Sequence, residues 1–217
     1  MKTKAFTKTY GGRTVLNLPE LNLKRGELTA VIGANGSGKS TLARVLSGIE
    51  PADGKTKVIP GVTVGYMPQK SYAFRMSTSQ NIALNGTDRE RAERLISALH
   101  LKNLEHLRAK KLSGGETAKM ALARLMMRSY ELLILDEPTA SMDMESTLAA
   151  ETLLEQYCRE TDCAMLIITH SIRQARRVAG ETLFLCQGEL AECGSTDQVL
   201  SAPKDERTCR FLEFYGV

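Results

Sequence analysis

The nonapeptide GANGSGKST, Gly33 to Thr41, constrains this chain more than any other stretch. It fits the pattern G-x-x-x-x-G-K-[ST], follows the apolar run LTAVIG and precedes a segment whose Leu42, Val45 and Leu46 share one helical face. In that strand–loop–helix setting the glycines let backbone N–H groups curl round phosphate oxygens, and the helix start adds its positive dipole end. Gly33, Asn35, Gly36, Ser37, Gly38, Lys39, Ser40 and Thr41 are therefore expected to cradle the phosphates of a nucleotide. Lys39 neutralises the β- and γ-phosphates in that reading, and the Ser40 hydroxyl ligates Mg²⁺.

A loop of this kind needs a carboxylate from a neighbouring strand end. LLILDEP supplies one: four apolar residues, then Asp136 and Glu137. Side chains alternate along a strand, so the two acids are expected to divide the work. Asp136 faces the metal, directly or through water, and Glu137 orients and polarises an attacking water. Pro138 ends the strand, because it has no N–H for a ladder.

LTAVIG, ELLILD and AMLIIT are short continuous apolar runs, as strands buried on both faces require, and helix-patterned segments alternate with them. That alternation predicts an α/β, doubly wound, mostly parallel sheet with its ligand at the strands' carboxyl ends. TVLNL and VTVGYM read as half-buried strands. From about residue 71 to residue 111 no comparable strand occurs. A T-x-x-E capping box at Thr87–Glu90 opens a helix with Leu95, Ile96 and Leu99 on one face, so this stretch is expected to be a helical insertion. The aromatics of the terminal FLEFYGV are expected to dock on the core.

Composition excludes several functions. A net charge of +4 on 217 residues does not argue for nucleic acid, and Arg173, Arg176 and Arg177 read as a solvated helix face. Five cysteines without zinc or CxxC spacing read as reduced thiols. The start, MKTKAFTKTYGG, has no apolar h-region, and no apolar run is long enough to span a bilayer.

A second phosphate-binding helix start stands at Ser113, Gly114 and Gly115, in KKLSGGETAKMALARLMM. Ser113 and Glu116 form a capping box by themselves, but capping does not require two glycines between them. LSGGE, LDEPTASMD, YMPQ and IITH, in their order along the chain, resemble the signature motif, Walker B with D-loop, Q-loop and switch histidine of the ATP-binding subunits of ABC transporters. Tyr10, in KTYGGRTVL, matches that family's adenine-stacking aromatic.

The resemblance covers nearly the whole chain. It implies a P-loop NTPase (RecA-like) core with a small N-terminal antiparallel β-subdomain and an inserted α-helical subdomain. One domain over residues 1–217 is expected, with about 1–70 and 112–217 as nucleotide-binding core and about 71–111 as the helical part. It further implies ATP and Mg²⁺ as cofactors. Gln69 would contact the metal and the attacking water, His170 would bond the γ-phosphate, and Asp143 would signal across a dimer interface. Two copies would pair head to tail, with Ser113 and Gly115 of each on the partner's γ-phosphate. Glu116 stands where the family usually has Gln, Lys119 where it often has Arg, and Met142 where it often has Leu. The segment between Lys39 and Gln69 is short for the family and suggests a trimmed hairpin.

The implied function is an ATPase at the cytoplasmic face of the cell membrane. It would power an importer through a separate permease and a substrate-binding protein, with tungstate, molybdate or phosphate as cargo. Tyr72, Phe74 and Arg75 would meet the permease, with packing inside the insertion as the other reading of the aromatics. The alternative function is a soluble ABC ATPase acting on ribosomes or DNA.

Overall fold

The computed structural model describes residues 1–215. The chain opens with an antiparallel pair, β1 (Phe6–Tyr10) and β2 (Arg13–Leu18), and passes through β3 (Leu28–Ile32) into helix α1 (Lys39–Leu46). Strand β4 (Val64–Met67) follows, then α2 (Thr78–Ala83), α3 (Arg89–Ala98) and α4 (Gly114–Met126). Next come β5 (Leu132–Asp136), α5 (Met144–Thr161), β6 (Ala164–Ile168) and α6 (Ile172–Val178). A hairpin of β7 (Glu181–Cys186) and β8 (Glu189–Ser195) and two helices, α7 (Thr196–Ser201) and α8 (Glu206–Phe214), complete it.

All eight strands join one sheet in the order β1-β2-β8-β7-β3-β6-β5-β4. The three continuous apolar runs are its centre, and every residue of β3, β5 and β6 is buried, as parallel strands covered on both faces require. One core packs the sheet against α1 and the β1–β2 end; the other packs it against α2 to α8. The pairings Val31↔Ile168 and Asp136↔Ile168 align the carboxyl ends of β3, β5 and β6 at one edge. Three loops therefore emerge side by side: the glycine-rich loop, Glu137–Pro138 and Thr169–His170.

Three local expectations need correction. The cap of α3 is Asp88, whose carboxylate accepts the Arg91 N–H at 3.0 Å, and not Thr87. An Asp one residue later offers a stronger N-cap acceptor than Thr. Between α1 and β4 there is no trimmed hairpin; the described residues form a single 3₁₀ turn at Asp53–Lys55. Asp53 ties that turn to β1 by accepting from the Thr9 N–H and hydroxyl and from the Thr7 hydroxyl. At the C-terminus Phe211 docks on Phe184 with ring centroids 5.0 Å apart, but Phe214 is 84% exposed. An α8 of nine residues can turn only one face to the core, so Leu212 and Phe211 take it and Phe214 points away. Gly216 and Val217 lie outside the described residues. Among those described, no helix is long and apolar enough to cross a membrane.

Candidate functional site

A cavity of about 300 Å³ opens over the glycine-rich loop, lined by Val15, Asn35, Gly36, Gly38, Lys39, Ser40, Thr41, Gln69, Glu137 and His170. The loop's shape depends on glycine. At Gly33, φ is 150° and a Cβ would lie 2.2 Å from the Leu185 carbonyl oxygen. At Gly38, the residue before α1, φ is 105° and a Cβ would meet the Leu16 side chain at 2.5 Å. Lys39 is buried and donates to the Gly33 and Ala34 carbonyls at 2.8 and 2.9 Å. An ammonium has three N–H donors, so one is left for a ligand. Burial pushes the Lys39 pKa down, while Glu137 and Asp136 pull it back up.

Asp136 and Glu137 divide as strand alternation requires. Asp136 is buried at the end of β5, and burial raises its carboxyl pKa against the pull of the Ser40 hydroxyl. Its Oδ1 has no hydrogen-bond partner, an expensive arrangement for a buried carboxylate oxygen. Glu137 has φ 53°, a left-handed conformation that costs a residue with a Cβ about 1 kcal/mol or more. Its N–H donates to the Ile168 carbonyl at 2.9 Å, which holds the strained residue against β6. That turn swings the Glu137 side chain to the cavity, where the Gln69 amide donates to Oε2 at 3.1 Å and His170 Nε2 bonds Oε1.

The donor set fits ATP and Mg²⁺. A hard divalent cation takes oxygen ligands, and the orphaned Asp136 oxygen beside the Ser40 hydroxyl supplies such a pair at the start of α1. Ser37 Oγ, also buried and without a partner, faces the same loop. Gln69 also lines the cavity and presents its amide there.

Ser113, Gly114, Gly115 and Asp143 do not line this cavity. They form a second cluster where the start of α4 meets the loop before α5. The capping box is present: Ser113 Oγ accepts from the Glu116 N–H at 3.3 Å, and Glu116 Oε2 accepts from the Ser113 N–H at 2.7 Å. The two glycines differ. A Cβ on Gly115 would stand 2.5 Å from the Ser141 carbonyl oxygen, so intrachain packing already requires that glycine. A Cβ on Gly114 would meet nothing closer than 3.8 Å. We expect Gly115→Ala to lower stability by about 1–3 kcal/mol, the cost of overpacking a close contact. Gly114→Ala should be neutral within about 1 kcal/mol, and paired thermal melts compare the two.

Asp143 caps α5, accepting from the Ser146 N–H at 2.8 Å and the Ser146 hydroxyl at 3.2 Å. Buried Lys119 reaches across from α4 and donates to Ser146 Oγ at 3.3 Å. The α4 start and the 141–143 loop are thus one packed unit. Tyr10 stands apart from both clusters, half exposed at the end of β1, with its hydroxyl bonded to Glu50 and Lys8 Nζ 4.9 Å from its ring.

Sequence reasoning missed a buried polar network behind His170. Gln174 on α6 donates to Thr139 Oγ1 at 2.8 Å and to Glu151 Oε1 at 2.9 Å. Glu151, 3% exposed, is gripped by Arg177 at 2.7 and 2.8 Å. Arg177 therefore anchors the buried Glu151 from the solvated face of α6, where its own side chain is 44% exposed, and Arg173 and Arg176 are exposed beside it. The only signal in the sequence was a Glu at a core-facing position of α5, which is uninformative until its partner is known.

Against known proteins, the ABC transporter family model matches residues 16–140. The tungstate uptake system ATP-binding protein TupC of Peptoclostridium acidaminophilum is 37% identical over 202 residues, 85% of this chain and 94% of that protein. The zinc import ATP-binding protein ZnuC of Yersinia enterocolitica is 35% identical over 213 residues, 96% of this chain and 82% of that protein. Among solved structures, an ATP-binding subunit of an ABC transporter superposes with a TM-score of 0.80 at 21% identity, covering 91% of this chain and 90% of that one. A dimeric post-hydrolysis ATP-binding cassette bound to ADP and Pi gives 0.78 at 23% identity, covering 90% and 98%. With sequence identity sustained along most of its length and the fold shared, the protein belongs to the ABC transporter family, as an ATP-binding subunit.

Proposed function

We propose that the protein hydrolyses ATP to power an importer, as one of two identical copies that close on ATP beneath a separate membrane permease at the cytoplasmic face. The observation that carries the hydrolytic step is the convergence of Gln69 and His170 on Glu137 at the mouth of the cavity over Lys39. Glu137 orients the attacking water and draws its proton, and His170 and Gln69 fix the carboxylate. Lys39 and the loop N–H groups hold the phosphate charge. Ser40, Asp136 and Gln69 would hold Mg²⁺, which neutralises charge on the β- and γ-phosphates when bound. Ser113, Gly114 and Gly115 close on the partner's nucleotide. In that reading Gly114 is the glycine whose small size serves the partner, because its own chain leaves it room. Tyr10 is the adenine platform.

Glu116 bears on this pairing. The Ser113 N–H and hydroxyl hold its carboxyl below the usual range. A depressed carboxyl pKa means that its contribution to the cap is present above the unfolded value and fades as pH falls through the folded one. At neutral pH the charge is full and opposes an approaching γ-phosphate. Glu116→Gln keeps the cap and should tighten ATP-dependent pairing on the order of fivefold, as for one screened like-charge contact. Sedimentation equilibrium with ATP measures it.

The permease surface is the exposed aromatic corner before α2. Tyr72 and Phe74 form an edge-to-face pair at 4.9 Å with both rings exposed, and Arg124 lies 5.2 Å from the Phe74 ring while donating to the Tyr72 carbonyl. These rings do not fill the insertion's own core, which supports their role, with Arg75, as a docking face. The tungstate relative supports an oxyanion cargo and the zinc relative a metal cation, so we put tungstate, molybdate and phosphate first. Purifying the native membrane complex through this subunit tests the proposal: a permease and an anion-binding protein should co-purify, whereas ribosomes or a zinc-binding protein would refute the respective part.

A further inference from the structure

The chain exposes two apolar patches that the clamp described above does not use. The first lies on α8. Rings step outward from the core, from Phe184 to Phe211 at 5.0 Å, Phe211 to Tyr215 at 4.7 Å and Tyr215 to Phe214 at 5.3 Å, ending in Phe214, 84% exposed. This stack and Arg210 wall a cavity of about 480 Å³ whose other side is Ala34, Asn35 and Gly36. Asn35 and Gly36 also line the nucleotide cavity, so the aromatic rim borders the mouth of the phosphate loop. The second patch is Met144 and Leu148 on α5, 80% and 41% exposed. Their i, i+4 spacing puts them on one helix face, directly after Asp143.

The second patch follows a segment packed directly on the α4 start. Gly115 abuts the Ser141 carbonyl, and Lys119 holds the Ser146–Asp143 cap. Ser113, Gly114, Met144 and Leu148 are therefore carried on one packed unit. In the proposed head-to-tail pair it offers a single surface to the rim of the partner's phosphate loop, where Phe214 and Tyr215 stand. The charges agree as well: Glu145, between Met144 and Leu148, has no ion pair among the described residues, and Arg210 lines the rim with only a surface i, i+4 partner, Glu206.

We propose that Met144 and Leu148 of one copy pack against Phe214 and Tyr215 of a second copy, adding an apolar contact on either side of the two-fold axis. This inference rests on the paired-clamp reading and adds to it a contact that does not touch nucleotide. Two-fold symmetry makes each contact twice. Aromatic anchors already stacked on their own core lose little entropy on docking.

The test uses the full chain with Glu137→Gln, and its ATP-dependent pairing is followed by sedimentation equilibrium. Met144→Ala and Phe214→Ala are both exposed and should fold and bind a fluorescent ATP analogue as the parent does. Each should weaken pairing at least tenfold, since losing a central apolar anchor from both halves of a symmetric interface has an effect of about that size or more. The double variant should weaken it much less than the product of the single effects, because the two side chains share one contact. A parent that dimerises, with variants within twofold of it, overturns this contact alone. A parent that stays monomeric at saturating ATP overturns the paired clamp and the contact with it. Unchanged pairing with lost permease recovery for Phe214→Ala would assign the rim to the permease and overturn the inference.

Discussion

Replacement of Glu137 by glutamine is expected to cut ATP turnover by about two to four orders of magnitude, the range that positioned general-base catalysis supplies. Glutamine keeps the size of the side chain and can still bond His170, but it cannot take a proton. Nucleotide affinity should survive, because in the proposed arrangement Lys39 and the loop N–H groups hold the phosphates without Glu137. The variant should therefore accumulate as an ATP-bound dimer, seen as an early-eluting peak on a sizing column that disappears with ADP. Phosphate release at the parental rate would show that Glu137 is not the base. Full loss of turnover with a purely monomeric profile at saturating ATP would separate the chemistry from the clamp.

The second large effect concerns stability. Arg177→Ala should cost about 1–3 kcal/mol, because it leaves the buried Glu151 carboxylate with only the Gln174 amide, while the exposed Arg177 side chain already lets water screen the pair in part. Arg177→Ala combined with Glu151→Gln should recover much of the loss, since a neutral amide no longer needs a cation. Urea unfolding of the three chains decides the matter. Equal midpoints for wild type and Arg177→Ala would mean that solvent screens the pair completely. Turnover is a second readout, because Gln174 also holds Thr139, two residues beyond Glu137.

Features written locally in the chain were legible from sequence. The phosphate loop, the Asp136–Glu137 division and the Ser113–Glu116 box each depend on neighbours within a few residues, and so do the three buried strands. Contacts between distant segments were not. Nothing in EPTASMD indicates that the Ser141 carbonyl needs Gly115 bare. Nothing near Arg177 names Glu151, 26 positions earlier. The left-handed backbone of Glu137 was missed because acids rarely adopt it, and here strand β6 enforces it through the Ile168 carbonyl. The α3 cap was misplaced by one residue because Thr87 and Asp88 are both capping residues in tandem. Phe214 was assigned inward on hydrophobicity alone, which a short helix with one buried face overrides.

Helix α5 carries a further consequence. Asp143 caps its first turn and Glu151 sits eight residues further on, so the two are separated by about 12 Å of one rod. At one end the rod is bound through Ser146 and Lys119 to the surface offered to another copy; at the other it grips Gln174, on the helix that begins just after His170. In the proposed pair, the half-site a copy lends and the half-site it owns would thus be tied to the same helix. A pair built in the proposed way would be mechanically a two-stroke device, each cylinder felt by its twin through that rod.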